Sequence, residues 1–340
     1  MPELGGLRLL LARRSVYCRR ASVRPLLALE DGRPVATVAA FADDRIGADV
    51  GERVGALGCF EALPNAHAAV ARLVEDALAG LRAWGAAAVR APQNGHPNYG
   101  FGLLVDPPAA RPLDGLACQP AYYAEYLAAA GFEPVHRYAA FTVPLREPAV
   151  EARIAAARAA RPHDVQLVPA SRWRFRDAVA RFADLHSRAF VGVWGDTPFF
   201  ADEAWELLGR ARLAIPRGFF RFAEVAGRPV GFVLCLPDYN QLWEPGSGAP
   251  TPLGTIVRAA LWGRRITRGG LYSIGLVPGA RRRGIGAALV AESLAAMRRR
   301  GLTEAVYALV LDDNAPSRAL ATRFGGVPHW GWAMYERRPA

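Results

Sequence analysis

The spacing of apolar and polar residues changes in the same order twice along the chain. In each series a hairpin of two alternating strands comes first, followed by a strand, a helix with one apolar face, and another strand. The first series predicts these elements at Leu26–Leu29, Ala36–Phe41, Val54–Phe60, Ala66–Trp84 and Ala87–Arg90. The second series predicts them at Phe219–Val225, Gly231–Leu236, Leu271–Val277, Ala287–Arg300 and Ala305–Leu311.

The two series also end alike. A short helix closes at a glycine, Gly131 in the first and Gly325 in the second, and an aromatic-rich strand follows. This ordered agreement indicates a tandem duplication. The sequence predicts domains at residues 1–146 and 162–340, joined by a linker helix at 147–161. The segment Met1–Val23 is too short for a strand and helix pair, so we expect the first domain to be truncated.

Composition narrows the classes of partner. The chain has 340 residues, of which 52% are hydrophobic, enough for two ordinary cores. Its net charge of +11 favours nucleic-acid binding at first sight. However, the sequence contains no lysine and its arginines are scattered, which is typical of a GC-rich genome. We therefore expect no nucleic-acid partner.

Cysteine and histidine spacing predicts no metal site. The four cysteines form no C-x-x-C pair, and the six histidines lack the spacing of metal ligands. No apolar run is long enough for a signal peptide or a membrane span. These observations predict a cytoplasmic protein with no membrane partner.

The segment Leu271–Gly286 carries the strongest indication of chemistry. A strand, a turn rich in arginine and glycine, and a helix start follow each other there. That order brings unpaired backbone N–H groups to the positive end of a helix dipole, which suits a phosphate or diphosphate. Gly284 and Gly286 allow close approach and positive φ at the turn.

The R-x-x-G-x-G pattern of Arg281, Gly284 and Gly286 resembles the acetyl-CoA loop of the GNAT acyltransferase superfamily. A second element, Asn314–Ser317 with Leu320, resembles the last strand–helix unit of that superfamily. Further short motifs, among them Phe60-Glu61 and Leu236–Asn240, are similar to bacterial double-GNAT proteins. The resemblance implies an α/β fold of two tandem GNAT-like domains. Each would have a mixed, mostly antiparallel sheet flanked by helices.

The resemblance also implies acetyl-CoA or another acyl-CoA as co-substrate. Backbone N–H groups of the loop would bind its diphosphate, and the edge of the preceding strand would align the pantetheine arm, with Gly275 permitting close approach. Asn314 would lie near the thioester, although its position equally fits a helix N-cap. The implied contact residues are Ile274, Leu276, Val277, Arg281, Arg282, Arg283, Gly284, Ile285, Gly286, Ala287, Asn314 and Ser317.

Catalytic groups are less defined. The superfamily often has a tyrosine acid directly after the leucine of its last helix, whereas here Leu320 precedes Ala321. Tyr307 or Tyr335 could substitute for the acid, and Ser273 could relay a proton through water. The candidate bases are Glu224, Asp238 and Asp312. Ordinary strand packing is the more usual explanation of both tyrosines, and solvation is the more usual explanation of the carboxylates.

The two halves differ at the loop. The first half has Glu61–Ala66 there, with no glycine and no basic residue, so we expect it not to bind CoA. The sequence thus predicts an acyl-CoA-dependent N-acyltransferase that transfers directly to a small-molecule or peptide amine in its C-terminal domain. The alternatives are a non-catalytic CoA sensor and an aminoacyl- or peptidyl-transferase-like enzyme.

Overall fold

A computed structural model describes residues 4–106, 111–243 and 252–338. Residues 244–251, between the second predicted hairpin and the strand predicted at Leu271–Val277, lie outside the described residues. The α-helices are α1 Leu4–Leu11, α2 His67–Trp84, α3 Tyr123–Ala129, α4 Pro148–Ala159, α5 Phe175–Ala189, α6 Ala201–Leu208, α7 Pro252–Trp262, α8 Ile285–Arg299 and α9 Ala315–Arg323. The strands are β1 Ser22–Glu30, β2 Arg33–Ala42, β3 Val54–Ala62, β4 Ala88–Ala91, β5 Leu103–Asp106, β6 Glu133–Pro144, β7 Val165–Pro169, β8 Phe220–Val225, β9 Arg228–Pro237, β10 Arg268–Leu276, β11 Glu304–Leu311 and β12 Val327–Arg337.

The chain divides into two compact units. The first comprises Met1–Arg137, Val191–Pro198 and Gly331–Ala340, and the second comprises Tyr138–Phe190 and Phe199–Trp330. Both have a mixed, mostly antiparallel sheet flanked by helices, as predicted. In each unit the only parallel pair among the described strands flanks the long helix, because a helical crossover returns the chain in the same direction.

The first unit has the strand order β1-β2-β3-β4-β12, and β5 also pairs with β12. Its core is the apolar face of α2, where Val70, Leu73, Val74, Ala77, Leu78 and Leu81 are buried, as the sequence predicts. The positive φ of Gly85 ends this helix. Residues 4–21 contribute α1 and a short 3₁₀ turn, and in the described part of the chain no strand precedes β1.

The second unit has the strand order β6-β11-β10-β9-β8-β7. A cluster of phenylalanines from β8, β9 and α5 fills one side of this sheet, with Phe182 and Phe232 in edge-to-face contact at 4.9 Å. On α8, most side chains are buried, including Leu289, Leu294 and Met297. The burial of α8 fixes the position of the loop that precedes it.

These compact units differ from the contiguous segments that the sequence predicts as domains. The last part of β6, Tyr138–Pro144, pairs with β11 in the second unit, and the last part of β12 pairs with β4 in the first. The predicted linker contains α4, whose Val150 and Ile154 lie in the core of the second unit. Strand periodicity predicts a strand but not its neighbour, which explains this difference.

No helix in the described ranges is long and apolar enough to cross a membrane. The cytoplasmic location stays a prediction.

Candidate active site

The loop between β10 and α8 is shaped by two residues with positive φ. Arg282 has φ 62° and Gly284 has φ 78°, so the chain turns sharply before Ile285 begins the helix. A Cβ on Gly284 would meet no atom within 4 Å. Glycine is therefore favoured at this position by its backbone conformation, and the space beside it is open.

Six consecutive backbone N–H groups in this loop are free. The first helical hydrogen bond runs from Ala288 N to Gly284 O at 3.1 Å. No described residue accepts a hydrogen bond from the N–H groups of Arg282 to Ala287. Ile285 itself is fully buried in the core of the second unit. These donors lie at the positive end of the α8 dipole and fit a diphosphate.

The three arginines of the loop have different roles. Arg281 is held by the protein itself, donating from Nη2 to Ala189 O at 2.8 Å and from Nε to Leu276 O at 3.4 Å. Arg283 forms an ion pair with Asp164. Arg282 is exposed and has no hydrogen-bond or ion-pair partner among the described residues. From the sequence alone the three arginines are equivalent positive charges. In the structure, Arg282 is the one of the three without a protein partner among the described residues.

The strand before the loop has an open edge. β10 pairs with β11 only over Arg268–Leu271, but its pairing with β9 continues to Leu276. Beyond Leu271 the strands separate, and β11 bends at Leu309, which has φ 49°. Ser273–Leu276 therefore lack a β11 partner. Their free edge, which includes Ile274, can accept an extended chain by β-type hydrogen bonds.

The structure gives a reason for glycine at position 275 that differs from the close approach of a ligand that the sequence predicts. A Cβ there would come within 2.7 Å of the Phe232 ring and 2.8 Å of Ala189 Cβ. Glycine is thus required for α5 to pack against β10. By contrast, a Cβ on Gly286 would make ordinary contacts with Leu276 and Leu320, at 3.5 and 3.6 Å. The approach of a ligand is not needed to explain Gly275.

Tyr307 of β11 forms a small polar cluster with Asn314 and Ser317 at the start of α9. The hydroxyls of Tyr307 and Ser317 lie 3.3 Å apart, and Asn314 Oδ1 accepts a hydrogen bond from Ser317 N at 3.1 Å. Asn314 is thus the N-cap of α9, one of the two alternatives that its position allows. Burial raises the pKa of Tyr307 to about 12, so its phenol keeps its proton throughout the neutral range.

Two of the candidate bases have other partners. Glu224 forms an ion pair with Arg181 at 2.6 Å. Asp238 is fully buried and accepts hydrogen bonds from Arg268 Nε and Nη2. These contacts give both carboxylates a structural explanation. Ser273 Oγ has no partner among the described residues.

In the first unit, tyrosine hydroxyls occupy the equivalent loop. Tyr126 Oη accepts from Ala66 N at 3.0 Å and donates to Leu63 O at 2.7 Å. Tyr123 Oη accepts from Ala62 N at 3.0 Å and donates to Glu61 Oε2 at 2.7 Å. The hydroxyls already bind backbone groups of this loop, and the carboxylate of Glu61 would repel a diphosphate.

The strand edge in the first unit is also closed. β3 and β4 separate after Ala56, as β10 and β11 do after Leu271. Gln93 and Asn94 fill the gap: Gln93 N donates to Leu57 O, and Asn94 Oδ1 accepts from Cys59 N, both at 2.7 Å. Sequence pattern does not predict this closure, although Asn94 lies only four residues after the end of the predicted strand Ala87–Arg90.

Comparisons with known proteins agree with this arrangement. Residues 179–326 match the model of the acetyltransferase (GNAT) family. A search of curated proteins finds no match. A solved tandem GNAT protein from the clavulanic acid biosynthesis pathway is 14% identical with a TM-score of 0.56, covering 94% of this chain and 85% of that one.

Two further solved structures have a similar fold. A glucosamine N-acetyltransferase region of a fungal multi-domain β-N-acetylglucosaminidase is 14% identical with a TM-score of 0.56, covering 98% of this chain and 34% of that one. A probable N-acyltransferase from Enterococcus faecalis is 10% identical with a TM-score of 0.55, covering 95% of this chain and 63% of that one. At these identities the likeness shows the fold alone, and it confirms the predicted tandem GNAT architecture.

Proposed function

We propose that this protein is an acyl-CoA-dependent N-acyltransferase. The premise is that it is a tandem GNAT-superfamily chain, whose residues 179–326 match the acetyltransferase family. Acetyl-CoA is the proposed co-substrate, and a small-molecule or peptide amine is the proposed acceptor. The observation that carries the proposal is the run of six free N–H groups, Arg282 to Ala287, next to the open edge of β10.

Each part of this site has a proposed task. The free N–H groups and the guanidinium of Arg282 bind the diphosphate, and Arg281 holds the loop in shape for them. The edge of Ser273–Leu276 aligns the pantetheine arm. When bound, acetyl-CoA supplies the thioester acyl group, and the site holds it for direct transfer to the amine.

Proton transfer is assigned to two groups. The acceptor must lose a proton, and the departing thiolate must gain one. Tyr307 is the proposed proton donor, because its raised pKa keeps the phenol protonated at neutral pH. Ser273 is the proposed relay to water, since this half-buried residue lies on the open strand and its hydroxyl makes no hydrogen bond within the described residues.

Isothermal titration with acetyl-CoA tests the proposal. Gly284→Glu places a carboxylate beside the free donors, where it would repel the diphosphate, and we expect a loss of affinity of about a hundredfold. Gly227→Glu is the matched control. Gly227 has φ 72° in the β8–β9 turn, and a Cβ there also meets no atom within 4 Å. Equal binding by both variants, or none by the wild type, would refute the site.

A specific observation favours a second candidate, a CoA-binding protein without transferase activity. Glu224 and Asp238 are both committed to arginines, and Ala321 stands where the superfamily often has its tyrosine acid. Thiol release measured over a panel of amines separates the candidates. Acetyl-CoA binding without any release of CoA thiol would support the sensor, and release that depends on Tyr307 would support the enzyme.

A further inference from the structure

A surface pocket at the start of β8 has no task in the function proposed above. It lies in the second unit, where the end of β7, the start of α5 and the turn before β8 meet. Arg172, Arg212 and Arg217 line it, together with Phe175, Gly218 and Phe220. None of its lining residues is acidic. We call it the arginine pocket.

The positive charges of the arginine pocket are not balanced by the protein. Arg212 Nε is buried and has no hydrogen-bond partner among the described residues. Within the same residues, neither Arg212 nor Arg217 forms an ion pair with a carboxylate. Arg174, just outside the pocket, pairs with Asp177 at 2.8 Å. A buried donor without an acceptor costs on the order of 1–3 kcal/mol, which an anionic ligand would offset.

Several backbone carbonyl groups around the pocket already accept hydrogen bonds. Ile215 O accepts from Arg172 Nη2 at 2.9 Å, and Gly218 O accepts from Arg221 Nε at 2.9 Å. Pro216 O accepts from Phe219 N at 3.1 Å, which closes the turn. In the described part of the chain, nothing accepts from the N–H groups of Arg217 and Gly218. With Arg212 Nε, these two N–H groups give the pocket three donors without an acceptor among the described residues.

We propose that the arginine pocket binds a phosphate group. Guanidinium groups match phosphate oxygens in geometry, and two unbalanced arginines match the charge of a dianion. The phosphate belongs either to a small soluble molecule or to a phospholipid headgroup. Trp173 and Leu213, next to Arg172 and Arg212 in the chain, are 92% and 66% exposed, as a lipid-contacting rim would be.

This site is separate from the proposed acyl-CoA loop. β8 and β10 are both antiparallel to β9, so they run in the same direction. The arginine pocket borders the N-terminal end of β8, whereas the loop follows the C-terminal end of β10. The two sites thus lie at opposite ends of the sheet, and each can be altered without the other.

Titration calorimetry with inorganic phosphate, in a buffer free of phosphate and sulfate, tests the proposal. We expect saturable binding to the wild type and at least a tenfold higher Kd for the double variant Arg212→Met/Arg217→Met. Arg174→Met removes one positive charge just outside the pocket, and its Kd for phosphate should stay within twofold of the wild-type value. Without phosphate, the double variant should melt no lower than the wild type, because it loses a buried donor that has no partner.

Vesicles distinguish the two sources of phosphate. Cosedimentation with phosphatidylglycerol but not phosphatidylcholine vesicles, lost in the double variant, would identify a headgroup. Phosphate binding without vesicle binding would identify a soluble ligand. Gly227→Glu, outside both sites, should keep its phosphate affinity. A difference between wild type and the double variant counts whether or not acetyl-CoA binds at the loop. The inference is overturned if wild type and double variant bind phosphate and phosphatidylglycerol equally, or if neither binds them.

Discussion

The two loops that join a strand to the long helix of each unit differ in length and in the partners of their N–H groups. The β10–α8 loop spans residues 277–284, and the N–H groups from Arg282 to Ala287 have no acceptor among the described residues. The β3–α2 loop spans residues 63–66, where Leu63 N and Ala66 N both have acceptors and Pro64 has no N–H. The second loop thus has six consecutive unpaired donors, whereas in the first the corresponding run is interrupted at Ala66, whose N–H is bonded to Tyr126.

The strands before these loops also differ in whether their backbone groups are paired within the protein. Both separate from their parallel neighbours, but Gln93 and Asn94 fill the gap in the first unit, while Ser273–Leu276 stay unpaired on that side in the second. In the first unit, backbone groups of the strand edge form hydrogen bonds within the protein. In the second unit, the corresponding groups remain available to a ligand. We infer that the first loop contributes to stability and the second to binding.

Tyr126→Phe tests the stabilising half of this comparison and should have the largest effect. It removes the hydroxyl that satisfies both Ala66 N and Leu63 O, leaving two backbone groups without that partner. We expect a loss of about 3 kcal/mol in the free energy of unfolding, measured by urea denaturation.

Tyr122→Phe is the control, since that hydroxyl makes one hydrogen bond within the described residues, to Ala62 O, and its side chain is less buried. Its loss should be below about 1 kcal/mol. An equal loss in both variants would mean that the ring packing of this tyrosine cluster, and not the paired loop, carries the stability.

Asn94→Ala tests the closed strand edge and should come next. The change removes the acceptor for Cys59 N and the donor to Tyr99 O. We expect a loss of about 2 kcal/mol in urea denaturation. Asn94→Asp keeps the acceptor and should lose about half of that. Ser273→Ala, on the open edge of the second unit, should leave stability within ~0.5 kcal/mol, and a larger loss there would contradict the contrast.

Local spacing predicts much of this comparison, because the relevant signals lie close together in the chain. Periodicity predicts the hairpins, α2, α8 and the strands after them, and Arg281 with Gly284 and Gly286 predicts the open loop. Gly131 and Gly325 end helices with positive φ, as predicted. These features depend on interactions within a few residues, so the sequence shows them directly.

The rest depends on partners far apart in the chain. Arg281 bonds to Ala189, 92 residues away, and Arg283 to Asp164, 119 residues away. The tyrosine hydroxyls of α3 are 60 or more residues from the loop that they occupy. No spacing rule specifies such contacts. The pairing of β12 with β4 is not predicted for the same reason, because the alternation of residues along a strand does not indicate which strand pairs with it.

Arg281→Ala separates positioning from charge in the open loop. Its guanidinium contacts carbonyl oxygens of Leu276 and Ala189, so removing it should loosen the loop as well as remove charge. We expect about tenfold weaker acetyl-CoA binding by calorimetry, or ~1.4 kcal/mol. Arg283→Ala, which breaks only an exposed ion pair with Asp164, should change Kd less than threefold. The reverse order would show that Arg283, and not Arg281, shapes the site.

Arg282→Gln isolates the one loop arginine that the protein leaves without a partner in the described residues, and it should have the smallest effect. The side chain keeps its length but loses its charge, while the free N–H groups of the loop remain. Because an exposed charge acts through screened solvent, we expect about threefold weaker acetyl-CoA binding in low salt and little difference in 0.5 M salt, a strength at which screening is on the order of a few ångströms. Arg228→Gln, at the β8–β9 turn, should leave Kd unchanged at both salt concentrations. If Arg282→Gln abolished binding, the side chain and not the backbone would hold the diphosphate, and the contrast between the two loops would then rest on one arginine instead of on unpaired donors.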